Sequence, residues 1–284
     1  MTTPIQLTVA LDTTDSVAAA LHRGVLASLP RRFLVTGKRV GEGADIVVVS
    51  GQEPFWLDRV GRAIDAGTKG ILLATPTAAD PAQVRTLATG GLLVAVDIRF
   101  APDPSWAAAV SDIAVDARSA SLIDCVVTVE DGTESSLFAG LIEQVVLVRS
   151  LLGSFDHLGC IHRTARQHAL VGHSGGAAVS LTAVASQTPG STLRMDVVSA
   201  ARRWQAQFDH TALARPTEIT LYDGNGALSR PLLYASGHRA TWMQLHAAIT
   251  EQASIPYSLE DLATDLEIVK RALNEPAQAS PAVR

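Results

Sequence analysis

The chain has 284 residues, more than one domain of ordinary size holds, and 47% of them are hydrophobic against 18% charged. That balance allows a sizeable core and excludes a natively disordered chain. The net charge of −5, with no Lys/Arg cluster, leaves nothing to neutralise phosphates along a duplex, so nucleic acid is excluded as a partner.

The two cysteines, Cys125 and Cys160, are far apart and lack CxxC spacing, which fits buried thiols of a cytoplasmic protein. The opening MTTPIQLTV has no basic region ahead of an apolar core, so no signal peptide is expected. No apolar run approaches the ~18 residues that span a bilayer, and no membrane partner is expected.

Residues 5–11 (IQLTVAL) read as a buried strand. Thr13, Thr14, Asp15 and Ser16 offer N-cap chemistry before the alanine-rich helix VAAALHRGVLASL, which Pro30 ends. Strands follow at 32–36 (RFLVT) and 45–50 (DIVVVS), the second apolar on both faces as in a parallel sheet. A helix over 56–66 has Gly67 placed as its C′ residue. A strand at 70–74 (GILLA), a helix over 81–88 and a strand at 92–98 (LLVAVDI) complete the alternation. Strands alternating with helices predict βαβ units and a parallel sheet.

After Arg99 the pattern changes. PDPSWAAAVSDIA predicts a loop and a helix, 122–130 a strand, and TESSLFAGLIEQVVLVRSLLG a long helix ending at Gly153. Strand-like segments follow at 158–164, 168–173, 177–185, 192–199, 204–208 and 218–222. The TPGS turn after Gln187 and the DGNG turn after Tyr222 read as hairpin punctuation. Together they predict a large, mostly antiparallel open sheet with helices on one face. Helices over 241–252 and 259–273 close the fold, the last with Ser258 and Asp261 as a capping pair, and the tail NEPAQASPAVR frays. The expected fold is α/β plus α+β: a Rossmann-like domain over 1–98 and an open-sheet domain with C-terminal helices over 99–284.

The local text adds a resemblance. ADIVVVS and AIDAGTKGILLATP are similar to the third strand, following helix and "aGkhVlxEKP" segment of the glucose–fructose oxidoreductase, inositol dehydrogenase and rhizopine-catabolism family (Gfo/Idh/MocA). DIRFAP resembles its "Rf-x-P" segment, AGLIEQVVLVRSLLG its "H-x-x-D-x-x-x-x-L-x-G" helix, and IPYSLEDLATDLEIVKRAL its closing helix. The family binds NAD or NADP on a glycine-rich first turn, where bare backbone approaches the pyrophosphate. Here that turn is VALDTTDS: its fingerprint positions fall near Ala10, Asp12 and Asp15, without glycine and with two carboxylates opposing a dianion. Lys38 and Arg39 lie where the family has its ribose-binding acid, and read as a solvated basic turn or as a 2′-phosphate contact. Thr75 stands at the family's EKP lysine, Glu143 at its catalytic histidine and Val146 at its aspartate.

The remaining signals are local. His157, His162, His168 and His173 lie close in sequence but lack the spacing of convergent metal ligands, so no metal is expected. They fit a sheet face or a subunit contact. Gly172-His173-Ser174-Gly175-Gly176 spells G-x-S-x-G, but strand-like sequence follows where a nucleophile elbow needs a helix, so a hairpin is expected. Trp242 and His246 share a helix face and read as core.

The combined expectation is a divergent Gfo/Idh/MocA-like protein acting on or binding a small molecule in an interdomain cleft. Standard hydride transfer is replaced by a cofactor-independent elimination, isomerisation or cyclisation. Glu143 would be its base, Arg99 the anchor of an anionic or hydroxylated ligand, and Thr75 the neighbouring group. Glu143 facing solvent, or pairing with an arginine, is the plain alternative. One functional alternative is an NAD(P)-dependent oxidoreductase using Thr13, Thr14 and Ser16 at the helix N-terminus with Lys38 and Arg39 on a 2′-phosphate. Another is a non-catalytic subunit paired with an active homologue. The resemblance implies a homo-oligomer through the C-terminal sheet.

Overall fold

The computed structural model describes residues 5–11, 13–39, 41–53, 55–187, 190–210 and 215–275. Asp12, Thr188 and Pro189 of the TPGS turn, and the tail beyond Glu275 lie outside these residues. The chain divides into two compact units: Met1–Pro102 with Gly237–Leu266, and Asp103–Ser236 with Glu267–Arg284.

The first unit holds a parallel sheet in the order β2-β1-β3-β4-β5, from β1 (Leu7–Leu11), β2 (Phe33–Thr36), β3 (Ile46–Ser50), β4 (Gly70–Ala74) and β5 (Leu93–Asp97). Every residue of β3 and β4 is buried, as a parallel strand covered on both faces requires. Helix α1 (Ser16–Ala27) ends ahead of Pro30, with Ser28 as C-cap. Helix α2 (Trp56–Asp65) turns out through Gly67 at φ +71, whose N–H donates to the Ile64 carbonyl. Helix α3 (Pro81–Ala88) packs on α2.

Residues 237–266 join this unit, although their sequence follows the second sheet. Helix α6 (Gly237–Glu251) packs on β4 and β5. Trp242 and Leu245 complete a core with Leu7 and Val9 of β1, Ile46 and Val48 of β3, and Leu26 of α1. The sequence-based division at residue 98 has no such return. It is invisible locally, because an amphipathic helix does not encode which sheet it covers.

The second unit is built on an eight-stranded sheet in the order β13-β12-β11-β10-β6-β9-β8-β7. Its strands are β6 (Leu122–Val129), β7 (His157–Thr164), β8 (Gln167–Ser174), β9 (Ala177–Ala185), β10 (Ser191–Val198), β11 (Arg203–His210), β12 (Glu218–Asp223) and β13 (Gly226–Ser229). All pairings are antiparallel except β6 with β9. The DGNG turn is a hairpin, and it introduces β13, a short exposed strand that the sequence pattern did not mark. The TPGS segment does not join neighbours. Strand β6 lies between β9 and β10, so the expected hairpin is a connection across it.

Helices α4 (Pro104–Ala117) and α5 (Glu134–Leu152) cover one face of this sheet. Ile123, Cys125, Val127 and Val129 of β6 alternate into that core, while Asp124, Val126 and Thr128 point to the other face. Gly140 lets α5 approach, since a Cβ there would stand 3.1 Å from Val127 Cγ1. By length and composition α5 could cross a membrane, which corrects the reading that no run approaches that length; 67% of its most apolar window is buried inside the fold. Helix α7 (Leu259–Asn274) is capped as expected: Asp261 accepts from Ser258 N and Oγ, and Ser258 Oγ accepts from Asp261 N.

Candidate functional site

Because β1, β3, β4 and β5 are parallel, their carboxyl ends form one edge. That edge carries residues 13–15, 51–53, 75–76 and 97–99. The sheet's winding reverses between β1 and β3, the switch point at which folds of this kind bind ligands.

At that point the structure brings together Thr13, Thr14 and a residue the sequence reading missed, Glu53. Glu53 Oε1 accepts from Thr13 Oγ1 at 2.6 Å, Thr14 Oγ1 at 2.9 Å, Asp15 N at 2.9 Å and Thr14 N in a shorter contact. Arg59 of α2 sets its guanidinium 2.5 Å from the other carboxylate oxygen. Burial pushes the Glu53 carboxyl up, but the hydroxyl and backbone donors of the turn outweigh it and hold the group below the usual carboxylate range. Asp15 is the N-cap of α1: its Oδ1 accepts from Val17 N at 3.0 Å and Ala18 N at 3.1 Å, and its Oδ2 from Ser50 Oγ at 2.8 Å. Ser16 opens the helix and is exposed.

A dinucleotide needs these same donors for its pyrophosphate. In this structure two protein carboxylates occupy donors of the turn, Glu53 those of Thr13, Thr14 and Asp15 and Asp15 those of Val17 and Ala18. Lys38 and Arg39 sit in an exposed turn after β2; Lys38 Nζ donates to Gly43 O at 3.2 Å and Arg39 N to Glu42 Oε2 at 2.9 Å.

Thr75 follows β4 with φ +46, a left-handed conformation that a β-branched residue rarely adopts. Beside it Gly51 gives the room: a Cβ there would meet Pro76 Cα at 2.5 Å. Arg99 follows β5 half-buried, with its guanidinium 5.3 Å from the centre of the Phe100 ring.

The same edge holds a second group absent from the sequence reading. Asp97 ends β5 at 2% exposure, with His238 Nδ1 2.6 Å and His22 Nε2 3.6 Å from its Oδ2. Trp242 Nε1 donates to His22 Nδ1 at 3.3 Å, which leaves the His22 proton on the nitrogen that faces Asp97. Burial drives His22 down to about 4, against the pull of Asp97. Burial alone would push Asp97 up, but the charge and hydrogen bond of His238 and the charge of His22 hold it below the usual range. The signals were legible: a carboxylate closing an apolar strand, and a histidine in register with Ala18 and Leu26 on the buried face of α1.

In the second unit, Glu143 lies on α5 at 4% exposure, so it does not face solvent. Its neighbour Gln144 is fully buried and donates through Nε2 to the carbonyls of Cys125, at 2.7 Å, and Thr182, at 2.9 Å. Ser174 ends β8 and donates to the Ser154 carbonyl; Gly175 and Gly176, at φ +56 and +88, turn directly into β9. The G-x-S-x-G letters therefore form a hairpin, with no helix behind the serine. His157 and His173 face each other across β7 and β8, whereas His162 opposes Ala169. Among the described residues no three His, Cys, Asp or Glu side chains converge as metal ligands.

The chain matches no protein-family model and no curated protein. Solved structures do match. A mutant of KijD10, a 3-ketoreductase from Actinomadura kijaniata in complex with TDP-benzene and NADP, superposes with a TM-score of 0.76 at 14% identity, covering 97% of this chain and 100% of that one. GenD2 from gentamicin A biosynthesis, in complex with NAD, gives 0.72 at 15% identity over 96% and 94%. UDP-N-acetylglucosamine 3-dehydrogenase GnnA from Acidithiobacillus ferrooxidans gives 0.70 at 12% identity over 94% and 97%. The chain thus has the fold of these oxidoreductases, a parallel Rossmann-like sheet followed by a large, mostly antiparallel one.

Proposed function

We propose that this protein binds or transforms a small molecule without ordinary NAD(P)-dependent hydride transfer. The observation that carries the reading is the Glu53 carboxylate on the donors of the first turn. Thr75 in place of a lysine supports it, since a hydroxyl supplies no cation. The chemistry left to such a chain is proton transfer: elimination, isomerisation or cyclisation, with Glu143 as base and Arg99 as ligand anchor. The burial of Glu143 on α5 supports that role, since general-base carboxylates work away from bulk water. Calorimetry with NADH and NADPH tests the reading. No heat of binding at millimolar cofactor is expected, and saturable binding by the wild type would overturn it.

A second reading, an NAD(P)-dependent oxidoreductase with a reorganised cofactor site, draws support from the NADP and NAD in the KijD10 and GenD2 complexes. The same titration decides between them. Self-association through the sheet face that α4 and α5 leave uncovered is part of the proposal, supported by Leu122, Val184 and Tyr222 half-exposed there. Light scattering reads it out, and a monomer at micromolar concentration would remove it. Reduced Cys125 and Cys160 accord with a cytoplasmic protein.

A further inference from the structure

We infer that Glu53 is a built-in phosphate substitute: its carboxylate fills an anion cradle that the fold still makes, and that cradle takes a diphosphate once the carboxylate is removed. The inference rests on the reading that the wild type does not use a nicotinamide cofactor.

The geometry is that of a bound anion. Four donors converge on one oxygen, two backbone N–H groups and two hydroxyls, and a guanidinium holds the other. Glu53 is the third residue after β3, and its donors lie at the end of β1, so the side chain crosses the switch point of the sheet. An ordinary surface glutamate does not collect this set. A phosphate oxygen in the same place would take the same donors, with Arg59 as counter-ion. The plug has two effects. It satisfies N–H groups at the start of α1 that would otherwise need water. It also sets a fixed negative charge where an incoming diphosphate would place its own. Asp15 remains beside the cradle, held by Val17 N, Ala18 N and Ser50 Oγ, so the uncovered site would favour an anion only moderately.

The test compares wild type, Glu53→Ala and Glu53→Gln by calorimetry, and by thermal shift, with pyrophosphate, ADP and NADPH. Expected is no saturation of the wild type within the titrated range of pyrophosphate, and saturation of Glu53→Ala with a Kd at least about tenfold below the top of that range, since removal of one like charge at contact range is worth that much. Similar gains for pyrophosphate and ADP identify a cradle for the diphosphate alone; a larger gain for ADP or NADPH shows that the nucleoside is read too. If Glu53→Ala does not fold, Glu53→Gln carries the test, with a smaller gain because the amide still fills the space. Folded variants that gain no anion affinity overturn the inference and leave the proposed function standing. Binding of NADPH by the wild type overturns the proposed function instead, and shows that Glu53 yields to a ligand.

Discussion

Nδ1 of His238 lies 2.6 Å from Oδ2 of Asp97, inside the core of the first unit. The pair ties the last strand of the parallel sheet to the first turn of α6, a helix that arrives from late in the sequence. A buried ion is tolerated only while its partners remain. Asp97→Asn is therefore expected to cost about 3–5 kcal/mol in urea unfolding, by breaking the pair from one side. A loss below about 1 kcal/mol would show that the contact contributes little to holding α6.

Acid should weaken the fold well above the carboxylate range. Burial takes His22 down to about 4, and His168 likewise to about 4, with Arg163 adding to the second. The unfolded chain protonates both near pH 6.5. Between those values the unfolded state binds more protons, so stability is complete above about pH 6.5 and falls as pH drops toward 4, by about 1.4 kcal/mol per pH unit for each histidine. Glu53, also depressed when folded, adds a further loss below about pH 4.3. Urea midpoints across this range measure the slope, and His168→Gln should remove part of it. A flat profile from pH 6.5 to 5 would mean that neither histidine is held neutral.

Gln144 marks a different cost. Its amide bonds carbonyls on the adjacent parallel strands β6 and β9, the one pairing of that sheet that is not antiparallel. Gln144→Leu keeps much of the volume and removes the donors. Losing them at buried acceptors is expected to cost about 2–3 kcal/mol. A near-neutral result would show that the two carbonyls find other donors.

Thr75 stores strain that glycine would release. At φ +46 a β-branched side chain crowds its own backbone. Thr75→Gly should raise the unfolding free energy by about 1 kcal/mol. The same substitution should weaken ligand binding if the hydroxyl serves the site, so stability and function would move in opposite directions. Destabilisation on both counts would point to packing as the reason for threonine.

The sequence made most of the architecture legible because the fold writes it locally. Runs such as DIVVVS and GILLA announce buried parallel strands, and Gly67 and Ser258 mark helix ends through their own backbone needs. What stayed hidden depends on meetings between distant segments. Glu53 in SGQEPF looks like any loop acid until β1 and β3 place it against Thr14, 39 residues away. The return of α6 to the first sheet and the insertion of β6 between β9 and β10 likewise have no local signature. Nothing in the sequence pointed to the Glu53 carboxylate that Thr13 and Thr14 hold, or to the left-handed backbone of Thr75.

The placement of β6 and α6 also fixes the order in which a growing chain can settle. Strand β6 is synthesised by residue 129, yet both its neighbours, β9 and β10, come from residues 177–198. The five parallel strands are complete by Asp97, but the helix that roofs them begins at Gly237. During synthesis, at about 5–20 residues per second, the apolar face later covered by Trp242 and Leu245 stays open for about ten seconds or more. Over that interval the uncovered face is open to association with other chains, and only the late, non-local closure by α6 removes it.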